Sequence, residues 1–566
     1  MASDAATSYQ DIQRKLDNMD TGDLAAEVLP VFFNCFMENK TCKAGDFNFD
    51  VKRVIVQNLD ALKRARDGNG GWKLGTELSC SEILAGGSTQ NGKTMVKAVV
   101  LWICNYFKVG SVVLSTTKRG TRSLFEKLHP PAEEEKDSST ERGTRHKLKM
   151  PVPPICLAGR RLDQETIKKN VMISATLFAN DTAQKITKIS ELFESDDEIR
   201  KLPMILIVDE ADSFYRRKNK TTQLEAAMDS FIAIVRPILR WNVSATLIPV
   251  VMHMKQDKKE IDCESIIYTE LGSNYLGAES FVPPQRDGRD VFLNPKDKKD
   301  AEEAMDLVYK DAFQKRGSLT LVITNPKVHG PSGIFAQAEK VLRKFPHVAA
   351  LIVSHEGITL KPPTKPMLAT NAFTPMTDQK LLDLHRKFKG KTASYAIEQV
   401  DENFGIETPL VIFGYRLMIR GDSFVSKKRV PTHLICALGK QMSIEKVVQA
   451  CGRATYQRSS SHYNFHEEKK VVVLTYPLDF DTTRAYPRFL AELHAKMKDR
   501  GLTLAKALSA REVYSYRANI QPKGQLRSIG QKLDELKLNV RFEDPPRGEE
   551  GRGAKWLRET MGEQEA

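Results

Sequence analysis

The sequence has little that would place it in an oxidising compartment or in a membrane. Its 566 residues include only eight cysteines, and none form a CxxC pair or a Cys/His cluster at zinc-ligand spacing. Reduced thiols are therefore expected, with neither a disulfide framework nor a structural zinc site. No apolar run approaches the roughly 20 residues that span a bilayer. The first 20 residues are polar and charged, without the apolar centre of a secretory signal. The expectation is a cytoplasmic or nuclear protein with no membrane contact. Acidic residues are also in deficit, since 86 Lys and Arg stand against 72 Asp and Glu for a formal charge of +14. A basic surplus of this size is a modest pointer to a polyanionic partner, DNA or RNA.

What the chain does have is organised around residues 204–212. Met204, Ile205, Leu206, Ile207 and Val208 form an unbroken apolar run behind Pro203, and three carboxylates, Asp209, Glu210 and Asp212, follow at once. Consecutive apolar positions suit a strand covered on both faces of a parallel sheet. Asp209 and Glu210 then emerge at its carboxyl end, where open α/β sheets place their ligands. Upstream, Gly87, Ser88, Thr89, Gln90, Asn91, Gly92, Lys93 and Thr94 fit the phosphate-loop spacing of Gly, four residues, Gly-Lys-Thr. A short apolar stretch at 83–85 precedes the loop, and an apolar helix over 95–107 follows it. In such a loop the backbone N–H groups wrap phosphates at a helix N-terminus. Lys93 reaches the β/γ-phosphates, and Thr94 offers a hydroxyl to Mg²⁺. Together the two stretches predict an ATP site.

Around these motifs the pattern is α/β. A helical cap is expected over 1–74, from apolar series at Leu24, Val28, Val31, Phe32 and Phe36 and at Val51, Val54, Ile55, Leu59 and Leu62. Strands are expected at 111–115 and 171–176, and helices through Ile186, Ile189, Leu192 and Phe193 and over 226–239. The segment 130–154 is rich in Glu, Lys, Ser and Pro and reads as a surface insertion. Residues 243–249 contain Ser244-Ala-Thr246, read as the start of an apolar strand. Lys118 and Arg119 lie in a basic loop suited to a nucleic-acid backbone.

The phosphate loop, the Asp209-Glu-Ala-Asp212 tetrapeptide and Ser244-Ala-Thr246 stand in the order that resembles superfamily 2 helicases, DEAD-box proteins among them. The resemblance implies a first RecA-like P-loop NTPase domain over 75–280. Asp209 would hold Mg²⁺, Glu210 would position or deprotonate the attacking water, and Ser244 and Thr246 would couple the ATP state to domain closure. It continues past a charged linker at 281–315 into a second α/β unit over 316–480, which has no phosphate loop and resembles the second RecA-like domain. Arg420 and Gly421 resemble a helicase motif that senses nucleotide and contacts the strand. The stretch 449–458 resembles the motif whose Gln and arginines reach the γ-phosphate. Gln449, Gly452 and Arg453 match it. Tyr456 replaces the second arginine, and Arg458 lies two residues further on.

A basic, helical extension over 481–566 completes the chain, with Tyr514, Tyr516 and Arg517 close together. The reading is an ATP-dependent translocase or helicase with nucleic-acid-stimulated hydrolysis at the interface of two RecA-like domains. Three alternatives stay open: an ATPase weakened in hydrolysis that binds nucleic acid, the motor of a defence or restriction system, and a phosphate-loop ATPase uncoupled from nucleic acid. No convincing nuclease motif accompanies the second alternative.

Overall fold

The computed structural model describes residues 9–37, 49–68, 71–73, 80–87, 93–115, 155–156, 176–179, 183–214, 223–256, 261–269, 274–294, 297–367, 375–419, 423–438, 444–463 and 469–507. They fall into two compact units, the first drawn from 1–270 with 494–507 and the second from 271–493.

The first unit holds strands β1 (Ser81–Gly87), β2 (Gly110–Leu114), β3 (Ile155–Cys156), β4 (Thr176–Ala179), β5 (Met204–Asp209), β6 (Leu239–Val243) and β7 (Ile266–Thr269). They form one parallel sheet in the order β3-β4-β2-β5-β6-β1-β7. The unbroken apolar run of β5 is explained by burial on both faces. On one of them Ile205 and Ile207 share a core with Ile83, Ala85, Leu239 and Trp241. The helices Thr21–Met37 and Val51–Arg64, read from sequence as a cap, put Leu24, Val28, Phe32, Val54, Ile55 and Leu59 into this same core. Phe32 meets Trp102 edge to face at 5.3 Å, and the Trp241 indole N–H donates to Asn58 Oδ1 at 3.3 Å. This layer belongs to the first unit's interior.

Two expectations change around β6. The helix expected over 226–239 is Gln223–Val235, because Pro237 cannot continue it and the chain turns into a strand. The apolar run after Ser244-Ala-Thr246 is the helix Ile248–Gln256 rather than a strand. Pro249 sits in its first turn, where a missing N–H costs no hydrogen bond. The strand itself was hidden by Arg240 and Asn242, which are polar yet buried. Glu82 on neighbouring β1 accepts from Arg240 Nε at 3.0 Å and from Asn242 Nδ2 at 3.2 Å, so neither is left unsatisfied between the strands.

The second unit contains β8 (Tyr275–Leu276), β9 (Phe281–Val282), β10 (Gln285–Arg286), β11 (Arg289–Asp290), β12 (Leu319–Ile323), β13 (Ala349–Ser354), β14 (Gly357–Lys361), β15 (Leu410–Gly414), β16 (His433–Cys436), β17 (Tyr456–Gln457) and β18 (Val471–Leu474). Its main sheet runs β14-β13-β15-β12-β16-β18-β9, parallel except for the β13–β14 pair, while β10 pairs with β11 and β8 with β17. The stretch 281–315, expected as a linker, supplies β9 and the helix Lys298–Gln314. That helix buries Val308, Tyr309, Ala312 and Phe313 against Val322 and Ile352. Its charged outer face concealed the buried one. Beyond residue 480, helices continue to Ala507, and 494–507 fall in the first unit. Residues 130–154 and 508–566, with Tyr514, Tyr516 and Arg517, lie outside the described residues. Among those described, no helix is long and apolar enough to cross a membrane.

One buried cation holds the amino-terminal ends of β12, β15 and β16 together. The Arg429 guanidinium donates to Asp401 Oδ1 at 2.8 Å and to the carbonyls of Ser318 at 3.1 Å, Thr408 at 2.8 Å and Ile406 at 2.8 Å. Removing one partner of a buried ion pair strands the other, at a cost of about 3–5 kcal/mol. Arg429→Met is accordingly expected to lower the unfolding free energy of the second unit by that amount, with the first unit's transition unmoved. Equilibrium unfolding monitored by amide exchange of β12 and β5 reads the two separately.

Candidate nucleotide site

The strands that lead into the first unit's predicted motifs end at one level, at the carboxyl side of the sheet, and strand register explains why. Ala85 of β1 pairs with Val243 of β6, and Val243 pairs with Asp209 of β5, so the three residues lie on one line across adjacent parallel strands. Ser244 N–H, one residue on, donates back to the Ala85 carbonyl at 3.1 Å. The chain therefore leaves β1 at Gly87, β5 at Glu210 and β6 at Ser244 within one or two residues of the same level.

Gly87 could hardly be another residue. Its φ is +151°, and an added Cβ would fall 1.7 Å from Thr269 Oγ1 of β7. Ser88, Thr89, Gln90, Asn91 and Gly92 are outside the described residues. The helix Lys93–Tyr106 begins with Lys93, whose ammonium donates to the Gly87 carbonyl at 3.5 Å, and Thr94 follows half-buried in its first turn. The first N–H groups of a helix lack intrahelical acceptors, so its start favours anions.

Asp209 and Glu210 are half-buried at the end of β5. Glu210 adopts a left-handed conformation, φ 53° and ψ 47°, which turns the chain sharply out of the strand into the short helix Ala211–Ser213. A non-glycine residue held there costs on the order of 1–3 kcal/mol and is a known mark of functional sites. Asp212 is buried and accepts from Ser244 Oγ at 2.6 Å. That hydroxyl also lies 3.3 Å from Thr246 Oγ1 and accepts from Thr246 N–H at 3.1 Å. The segments after β5 and β6 are thus joined through Ser244 and Thr246.

Lys97 escaped the sequence reading. It lies one helical turn beyond Lys93, so both project from the same side of the helix, and its ammonium donates to Asp209 Oδ1 at 2.6 Å. Only 5% of Lys97 is exposed. The available signal was a lysine inside an otherwise apolar helix, because a buried ammonium requires a counterion.

The donors suit a hard cation that arrives with phosphate. Thr94 and Asp209 offer a hydroxyl and a carboxylate oxygen, the ligand types Mg²⁺ prefers. Among the described residues no group of three or more His, Cys, Asp or Glu side chains could hold a metal. Mg²⁺ in nucleotide sites needs only one or two protein oxygens beside water and phosphate, so the residues fit.

In the second unit Gln449 is buried on the helix Ile444–Cys451. Arg453 follows in a short helical turn. Its Nε donates to the Met418 and Ile419 carbonyls at 3.1 and 3.2 Å, and its Nη2 to Ile419 at 2.8 Å. These carbonyls end the helix Arg416–Ile419, immediately before Arg420 and Gly421, which lie outside the described residues together with Lys118 and Arg119. Tyr456 is a core side chain 2% exposed, on a strand paired with β8, and its ring meets His462 edge to face at 6.1 Å. It packs where an arginine stands in the helicase pattern. Arg458, two residues along, is half-buried, and its N–H donates to the Asn274 carbonyl at 2.7 Å.

No protein-family model and no curated protein matches the chain. Solved structures similar to it include the DUF1998 helicase MrfA bound to DNA, at 12% identity and a TM-score of 0.41, over 74% of this chain and 52% of that one. A second is the ATP-dependent Type ISP restriction-modification enzyme LlaBIII bound to DNA, at 10% identity and 0.40, over 74% and 29% of the two chains. A third is the DEAD-box helicase Mss116 bound to ssRNA and UDP-BeF, at 12% identity and 0.34, over 89% and 95%. The chain spans about half of the first of these proteins and less than a third of the second.

The environment of Arg453 to His462 carries a pH prediction. Burial, aided by the positive charge of Arg458, pushes the His462 imidazole from 6.5 down to about 4. Its Nδ1 accepts from Ser459 N–H at 3.1 Å, which requires that nitrogen unprotonated. Between pH 6.5 and about 4 the unfolded chain takes up a proton that the folded chain refuses. Stability contributed here is complete above pH 6.5 and is lost as pH falls toward 4. His462→Asn, which retains an acceptor and does not titrate, is expected to flatten this part of the second unit's stability–pH curve. Denaturant titrations at pH 7.5, 6 and 5 measure it.

Proposed function

We propose that the protein is an ATP-dependent nucleic-acid motor of superfamily 2 type, with two RecA-like units, that hydrolyses ATP when bound to DNA or RNA. The supporting observation is the shared level at which β1, β5 and β6 end, with Asp209, Glu210 and Ser244 at their carboxyl ends and Lys93 donating to the Gly87 carbonyl.

In this reading the triphosphate lies against the start of the helix Lys93–Tyr106, within reach of Lys93. Thr94 and Asp209 hold Mg²⁺, which when bound neutralises charge on the transferring phosphoryl group. Glu210, turned out of the strand by its left-handed backbone, accepts a proton from the attacking water. Asp212, Ser244 and Thr246 form the linkage through which a change beside Glu210 reaches the segment after β6. Arg453 and Arg458 are the candidate guanidiniums for the developing charge. Arg420, Gly421, Lys118 and Arg119 are the candidates for the nucleic-acid backbone, and the basic surplus agrees with such a partner.

A second reading is favoured by two observations. Tyr456 is locked in the core, and Arg453 already donates to two carbonyls, so an ATPase that binds nucleotide and nucleic acid with little turnover also fits. Steady-state ATPase with and without single- and double-stranded DNA and RNA separates the two. Stimulation by at least one polymer, weakening steeply with salt as bound phosphates release counterions, is expected for the motor. A rate indifferent to every polyanion at low salt excludes it.

Lys93→Ala is expected to abolish measurable nucleotide binding. Glu210→Gln should keep binding and lose about 10²- to 10⁴-fold in hydrolysis, because an amide is nearly isosteric and cannot take the proton. Wild-type turnover in Glu210→Gln would reduce the β5 terminus to a structural turn. In single-turnover assays Arg453→Ala should lose hydrolysis with nucleotide binding intact, and Arg458→Ala should lose less. The reverse order would identify Arg458 as the residue on the γ-phosphate.

A further inference from the structure

Asp209 is claimed twice, once by the proposed metal and once by Lys97. The lysine is no surface group that drifts onto a carboxylate. It springs from the second turn of the helix Lys93–Tyr106, between the buried residues Val96 and Ala98, with its side chain 7% exposed. Helical side chains lean toward the helix start, and this one carries its ammonium to Asp209 Oδ1, 2.6 Å away. The ion pair bridges the helix that follows the phosphate loop and the strand that bears the acidic motif.

A buried ammonium whose carboxylate is drawn toward a divalent cation loses part of its compensation and gains a like-charged neighbour. Lys93 adds a second fixed positive charge one turn away. With Lys97 paired to Asp209 and the Lys93 ammonium at the Gly87 carbonyl, the site favours the metal only when phosphate oxygens arrive with it. We infer that Lys97 is the resident counterion of Asp209, weakening the site's hold on the divalent cation and making metal entry depend on the nucleotide's phosphates. This rests on the nucleotide-site reading above and assigns a role to a residue outside the helicase motifs.

The test uses the full chain and a fluorescent ADP analogue, whose binding is followed as Mg²⁺ is added back after EDTA. In Lys97→Met and Lys97→Gln the Mg²⁺ concentration at half-saturation is expected to fall on the order of tenfold, whereas Lys97→Arg, which keeps the charge, should stay near wild type. Mg²⁺ should also raise the melting temperature of the ADP-bound Met and Gln variants more than that of wild type. Lys97→Gln serves if Lys97→Met fails to fold, since an amide can still donate to Asp209. An unchanged half-saturation in a folded Lys97→Gln overturns the inference. So does an increase, which would mean that the lysine instead holds Asp209 in place for the metal. Failure of the wild-type protein to bind the analogue at any Mg²⁺ concentration removes the nucleotide site and this inference together. Binding with no difference among the variants removes the inference alone.

Discussion

Parallel pairing of β1, β6 and β5 is the constraint on which the candidate site depends. Because Ala85, Val243 and Asp209 share one line across the sheet, each strand must hand over to its loop at the same height. A shift of one residue in any of them would exchange its buried faces and move its terminal residue away from the other two. The site is thus specified by packing well below it. The polar positions of β6, with Arg240 ion-paired and Asn242 hydrogen-bonded to Glu82 of β1, serve to fix the register.

The same economy appears in the use of buried charge. Arg240 with Glu82, Arg429 with Asp401, and Lys97 with Asp209 each place a cation among apolar neighbours, with its counterion on a different element. Such pairs add little net stability compared with apolar substitutes, yet they penalise every arrangement in which the partners miss each other. Two of them work as joints between strands and the segments beside them. The third lies where chemistry is proposed, and there the penalty falls on a competing ligand as well.

Much of this was legible in the chain because apolar runs and glycine-lysine spacing are local signals. The strand at 204–209 shows as an unbroken hydrophobic stretch up to Val208, since both faces are covered. What was illegible depended on a distant partner. Arg240 and Asn242 look like surface residues until Glu82 is placed beside them. Lys97 looks like a stray charge until Asp209 is found within hydrogen-bond distance. Phe281 and the buried face of Lys298–Gln314 were lost in a charged stretch because the signal there was a few apolar positions among many ionised ones. Tyr456 read as a departure from a motif, and its burial identifies it as part of a core.

The first unit is not complete in one pass of the chain. The chain leaves it near residue 270 and comes back at 494, where His494 approaches Arg53 at 3.5 Å, Leu504 N–H donates to the Ile261 carbonyl at 2.7 Å, and the helix Leu504–Ala507 packs on Ile248–Gln256. During synthesis, domains generally fold in the order in which they emerge. Here the half with the candidate site would emerge first and yet wait, without its last helix, until the whole of the other half has been translated. Ribosome-bound chains that stop short of residue 494 would therefore carry the strand ends that gather Lys93, Asp209 and Ser244 on a unit still missing part of its support.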